Sequence, residues 1–319
     1  MKPITVEVTR GDLVESTHQV HVAVATPGGL EIWGDGDRLT FPRSAAKLMQ
    51  ALPLVESGAA DRLGLADVQL ALACASHGGE TRHATEVGRW LDGLNLSESH
   101  LECGLHWPMH EPSGRQMSAQ GETLCQLHNN CSGKHAGFLS LAQDQGWDTQ
   151  GYIQREHPVQ AAIEQCIEEV LETPVGPAGI DGCGIPTYAN RLSDLALGLY
   201  RLAQATGVRG KAVQRLADAH RREPYLIGGT DRCCTAINGE LRDGMVKYGA
   251  EAVYFGLFPK AKIGIALKVE DGTVRACEVA MVAMLKQFGL LPEDAMPQWH
   301  CQPLKNRAGA LVGQVRVSG

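Results

Sequence analysis

The stretch QVHVAVAT, residues 19–26, sets valine against other residues at nearly every second position. A period of two marks a strand with one buried face. Pro27-Gly28-Gly29 supplies a turn and LEIWG comes next, so this end of the chain reads as a β-hairpin. The far end carries matching material. AVYFGLF (252–258), KIGIALKVE (262–270) and TVRACEV (273–279) read as strands, with Asp271-Gly272 as a hairpin turn between the last two. MVAMLKQFG (281–289) reads as a helix.

The middle of the chain is Ala- and Leu-rich and predicts helices over 44–57, 67–75, 82–95, 134–145, 159–172, 187–206 and 211–222. Residues 103–130 mix Gly, Pro, His, Met and Cys without a period, the mark of a long functional loop or lid. The last 20 residues read as an irregular tail, and no internal repeat or low-complexity segment interrupts the chain. Strands from the two chain ends are expected to pair into one antiparallel sheet with the helical middle packed against it, an α+β fold. The expectation is a single domain over 1–319, with a sheet subdomain at about 1–40 and 250–290 and a helical subdomain at about 44–225.

Composition narrows the function classes. The chain has 319 residues, 44% of them hydrophobic and 20% charged, with a net charge of −7 and no basic stripe. Nucleic acid is not an expected partner. No apolar run approaches the roughly 18 residues of a membrane span, so no membrane partner is expected. MKPITVEVTRGD has no apolar signal core, and the ten cysteines form no C-x-x-C pair. Reduced thiols in a cytoplasmic protein are the expectation, rather than a disulfide framework.

Pro42-Arg43-Ser44-Ala45-Ala46-Lys47 opens a predicted helix, with Ser44 and Lys47 three residues apart on one face. A serine hydroxyl needs a base, and a lysine serves as one when burial or nearby cations lower its pKa. The helix start also favours developing negative charge. The same residues equally fit an N-cap serine beside a solvent-facing lysine. Cys74-Ala75-Ser76-His77-Gly78-Gly79-Glu80 would place Ser76 on a tight loop, or else is a glycine-rich helix end. Lys262-Ile263-Gly264 opens a predicted strand, where a glycine beside an edge lysine lets a substrate backbone approach, although an edge lysine also serves to deter aggregation. In this order, S-x-x-K, a serine loop and K-x-G resemble the three-part site of serine β-lactamases and penicillin-binding proteins.

Asn129-Asn130-Cys131-Ser132-Gly133-Lys134-His135 is the most specific block, and Asp181-Gly182-Cys183-Gly184 presents a second thiol. Two thiols and a third ligand can hold zinc. Buried cysteines that pack as small apolar groups fit the same pattern.

Together, FPRSAAKLMQALPLVESGAAD, CASHGGE, NNCSGKHAGFL, DGCGIPTYA and GIALKVEDGTVR resemble the Rhizobium-etli-type, class 3 L-asparaginase family, from about residue 5 to about residue 290. The resemblance implies a serine β-lactamase-like fold and hydrolysis of L-asparagine to L-aspartate and ammonia. It makes Ser44 the nucleophile and Lys47 its base. Ser76 is then the second serine, paired with a strand lysine matched to Lys262, with Lys260 as the alternative. Cys131, Lys134 and Cys183 take the place of the family's zinc ligands. Asp181 would orient the metal shell or hold the substrate amine, and Arg43, Gly133, His135 and Gly264 would lie beside the substrate. A homodimer is also implied. The rival expectations are a β-lactamase or peptidase on the same fold, a zinc hydrolase, and a non-catalytic zinc or small-ligand binder.

Overall fold

The computed structural model describes residues 1–318, and the chain divides into two compact units. The first comprises Met1–Ala45, Asn190–Gln204 and Glu240–Gly319. It is built on an eight-stranded sheet of β1 (Ile4–Arg10), β2 (Leu13–Thr26), β3 (Gly29–Trp33), β4 (Met245–Gly249), β5 (Val253–Phe258), β6 (Ile263–Val269), β7 (Cys301–Lys305) and β8 (Leu311–Val317). The order is β7-β8-β1-β2-β6-β5-β4, with β3 paired to β2, and every pairing is antiparallel. The two chain ends therefore share one sheet, joined where Ala25 of β2 lies opposite Gly264 of β6.

Val20–Ala25 and all of β5 are buried without alternation, which needs cover on both faces of the sheet. Two helices of this unit, Leu192–Ala203 and Val274–Gln287, pack against β6 and β2 and provide it.

Several expectations are corrected. TVRACEV is not a strand but the start of the helix Val274–Gln287. Thr273 N–H donates to the Asp271 carboxylate, so Asp271-Gly272 starts a helix instead of turning a hairpin. The last 20 residues hold an ordered hairpin, β7–β8, whose β8 pairs with β1 and extends the sheet. The sheet unit accordingly runs past 290 and includes 190–204.

The second unit comprises Ala46–Ala189 and Ala205–Gly239 and is mostly helical. The predicted helix over 44–57 is broken into a 3-10 turn, Arg43–Ala46, and two short helices, Lys47–Gln50 and Leu52–Glu56. The break precedes Pro53, whose ring does not fit a helix interior. Residues 103–130 are not all loop, because Glu111–Gln120 is helical. At the centre lies Ser132–Asp144, buried on every side from Ser132 to Ala142. Such a helix belongs in a core rather than at a surface. Gly133 lets it approach the helix Asp67–Ala73, since a Cβ there would stand 2.6 Å from the Leu72 carbonyl oxygen. Among the described residues no helix is long and apolar enough to cross a membrane.

Candidate active site

Lys47 is 1% exposed at the start of its helix. Its Nζ donates to Ser76 Oγ at 3.0 Å, to Cys131 Sγ at 3.1 Å, and to the Ala75 carbonyl oxygen. Ser76 therefore stands where the loop after Asp67–Ala73 meets the head of Ser132–Asp144. His77 fixes that junction. Its Nδ1 accepts from Gly79 N–H at 3.2 Å and its Nε2 lies 3.0 Å from Ser132 Oγ. Burial, then the neighbouring His83 and Lys47, lower the His77 pKa well below the usual imidazole value, so it stays neutral.

Cys131 is the N-cap of the central helix and Lys134 lies in its first turn. Lys134 Nζ donates to Cys183 Sγ at 2.9 Å. Cys183 is brought in by the Asp181–Gly184 turn, closed by Gly184 N–H donating to Asp181 O at 2.8 Å, with Gly184 at φ +88°. The neighbouring Cys183 thiol, with the charges of Lys47 and Lys134, lowers the Cys131 pKa well below the thiol norm, while Cys131 and burial raise that of Cys183. Burial opposes the Lys134 charge, but the two thiols and Asp181 outweigh it and its pKa is raised.

Two lysines and two cysteines, all buried, meet here. Burying an ion costs several kcal/mol, so such a cluster is a candidate for function before it is one for stability. No group of three or more His, Cys, Asp or Glu side chains suited to a metal occurs among the described residues, and the set here is two thiols and an amine.

The Asn129-Asn130 pair accounts for the remaining specificity of its block. Asn129 Oδ1 accepts from Cys131 N–H, and its amide donates to the carbonyl oxygens of Cys103 and Gly104. Asn130 N–H donates to His106 Nε2 at 2.9 Å, so the 103–110 loop is tied to the site. His135 is less available than expected. It is fully buried with Nδ1 2.9 Å from the Tyr152 hydroxyl, packed edge-on to Tyr152, and its Nε2 has no partner.

In the sheet unit, Ser44 sits in the 3-10 turn Arg43–Ala46. Arg43 holds φ at +49°, a left-handed conformation that costs a non-glycine residue and clusters at functional sites. Gly249 of β4 packs on this turn, since a Cβ there would meet Pro42 O at 2.7 Å and Ala45 N at 2.8 Å.

The K-x-G pattern is where sequence reading went astray. Lys262 is exposed in the β5–β6 turn at φ +55°, and Lys260 is exposed in the same turn. Gly264 is not on an edge, because β6 lies between β2 and β5. Its missing side chain admits the helix Leu192–Ala203, with Tyr200 N and Ala196 O 2.3 and 2.5 Å from a Cβ position. The sheet edge that does carry the pattern is β4, with Lys247-Tyr248-Gly249. Lys247 is 1% exposed and donates to Tyr248 O at 2.6 Å.

The chain matches the family described as L-asparaginase II across residues 6–317. It belongs to the L-asparaginase II family. The expected family is thereby met over nearly the whole sequence. No curated sequence matches it. Solved structures similar to it include Mglu in its L-glutamate-binding form, at 14% identity and TM-score 0.47, covering 88% of this chain and 63% of that one. A β-lactamase from Mycobacterium bovis is similar at 13% identity and TM-score 0.43, covering 84% of this chain and 94% of that one. Simvastatin synthase from Aspergillus terreus, as a mutant, is similar at 13% identity and TM-score 0.41, covering 78% and 86%. The chain spans less than two thirds of the length of that Mglu chain. At these scores the family assignment rests on the family match alone.

Proposed function

We propose that this member of the L-asparaginase II family hydrolyses L-asparagine to L-aspartate and ammonia, with Ser44 as nucleophile and Lys47 as base. Besides family membership, one observation carries the reading: Lys47, three residues beyond Ser44, is buried with its Nζ 3.0 Å from Ser76 Oγ. A desolvated lysine against a serine hydroxyl is a proton-transfer arrangement.

Lys47 takes the Ser44 hydroxyl proton as Oγ bonds to the side-chain amide carbon. Backbone N–H groups of the Ser44 turn hold the oxyanion. The C–N bond then breaks, and ammonia leaves with a proton returned from Lys47 through Ser76. Water attacks the resulting aspartyl ester, its proton passes back, and Ser44 is freed. Lys247 on β4 replaces Lys262 as the strand lysine of this scheme. Arg43 presents Ser44 through its strained backbone, and Asp181 keeps the Cys183 turn closed.

Cys131, Lys134 and Cys183 would hold zinc. Their three donor atoms converge in one buried cluster and one thiol already favours its ionised form. Bound there, zinc would be a Lewis-acidic centre that keeps this buried cluster, and the Lys47 and Ser76 it adjoins, in shape. A cytoplasmic homodimer completes the reading, and sedimentation checks the dimer.

The test is ammonia release from asparagine, glutamine and aspartyl-peptides, with and without a chelator, beside a nitrocefin assay. Asparagine turnover is expected, with a higher KM after chelation and no nitrocefin hydrolysis. Ser44→Ala with an unchanged melting temperature is expected to lose about 10³–10⁴ of kcat. Nitrocefin turnover without ammonia release would sink the proposal.

A further inference from the structure

In the helical unit, Ser76 opens onto a cavity of about 190 Å³, whose lining includes His110, Glu111, Thr230, Asp231 and Arg232. The wall formed by residues 228–232 is tightly constrained. Gly229 adopts φ +101°, and a Cβ there would stand 2.3 Å from Glu80 Oε1, so only glycine passes. Glu80 in turn accepts from Thr230 N–H at 2.9 Å and from Thr230 Oγ1 at 2.6 Å. Burial raises the Glu80 pKa, but the two Thr230 bonds and His110 outweigh it and keep the carboxylate ionised. Beyond this anchor, Asp231 holds φ at +55°. A strained non-glycine residue persists only where the surrounding structure over-determines it, and here the pinned loop does so.

The loop thereby sets one acid and one base, Asp231 and Arg232, side by side at the mouth of a cavity that a serine shares. The volume lies well below the roughly 300–1,000 Å³ of pockets for drug-sized ligands. It suits one amino acid and is too small for a peptide. Glu111 and Asp231 are both exposed, and Glu111 is already paired with Arg115, so Asp231 is the acid assigned to the ligand.

We infer that Asp231 and Arg232 read the zwitterion of a free α-amino acid, Asp231 taking the ammonium and Arg232 the carboxylate. This rests on the proposed amidohydrolase reading and assigns its specificity to two residues outside the S-x-x-K, serine-loop, K-x-G and cysteine motifs. The planar guanidinium suits a carboxylate, and such charged hydrogen bonds are the strong ones.

The experiment compares wild type, Arg232→Gln and Asp231→Asn. Asparagine tolerates the left-handed backbone at 231, so the second variant keeps its loop. Ammonia release is measured with L-asparagine, its methyl ester and its N-acetyl derivative, and L-aspartate binding is measured by calorimetry. Wild type is expected to prefer L-asparagine over both blocked forms. Arg232→Gln should raise the KM for asparagine at least about tenfold with kcat held, and leave the methyl ester unaffected. Asp231→Asn should do the same with respect to the N-acetyl form. L-Aspartate affinity should fall in both variants. Unchanged KM and affinity in both variants overturn the inference, as does a wild type that neither turns over asparagine nor binds L-aspartate. Binding that depends on both residues without turnover sustains it and instead sinks the proposed activity.

Discussion

Lys47 concentrates the account at the scale of a single residue. It is fully buried, yet its neighbours are a hydroxyl, a thiol and a carbonyl, with no carboxylate bonded to it. Such a side chain is expensive for the fold, yet removing one partner of a buried charged cluster leaves the others unpaired and destabilises. Lys47→Met is therefore expected to fold with a lowered melting temperature while losing about 10²–10⁴ of kcat. Calorimetric melting beside an ammonia assay checks both, and a destabilised variant with retained turnover would make Lys47 structural. The residue was legible in sequence because S-x-x-K fixes its spacing. Lys247 was missed because a K-x-G pattern occurs twice, and only sheet order separates the edge strand β4 from the interior strand β6.

Among elements, β6 and the helix on it show how a glycine is misread. Gly264 looked like a place for a substrate backbone, but its face is filled by Ala196 and Tyr200. Gly264→Ala forces two backbone segments apart, and overpacking of that kind costs about 1–3 kcal/mol. A lowered melting temperature with kcat and KM unchanged is expected. Wild-type stability with a raised KM would return Gly264 to the substrate site. The strand at 19–26 was readable from its period of two, and the central helix lay within the helix expected over 134–145. The helix Val274–Gln287 was read only in its second half, because its first residues, Val274 to Val279, include two valines and a hairpin-like Asp-Gly before them. Tertiary burial against the sheet, not local preference, decides it.

For the whole molecule, the hairpin β7–β8 changes where the sheet ends. Val6 and Val8 of β1 are buried, and β8 covers that edge. A chain ending at Met296 leaves β1 as an open edge and uncovers side chains worth about 1.5–3 kcal/mol each. Such an edge invites pairing with other chains. A lower melting temperature and concentration-dependent aggregation are expected by light scattering, and a monomeric, equally stable fragment would show the hairpin to be an ornament. The hairpin escaped sequence reading because its strands carry Gln, Pro, Lys and Gly, a composition that gains its strand character from the partner edge.

The central claim is that Ser44 carries the acyl group. Mass spectrometry of the protein quenched during L-asparagine turnover tests it most directly. An aspartyl ester on the peptide containing Ser44, absent in Ser44→Ala, is the predicted result. Steady turnover with the ester on Ser76, or with no ester on any serine, would contradict it.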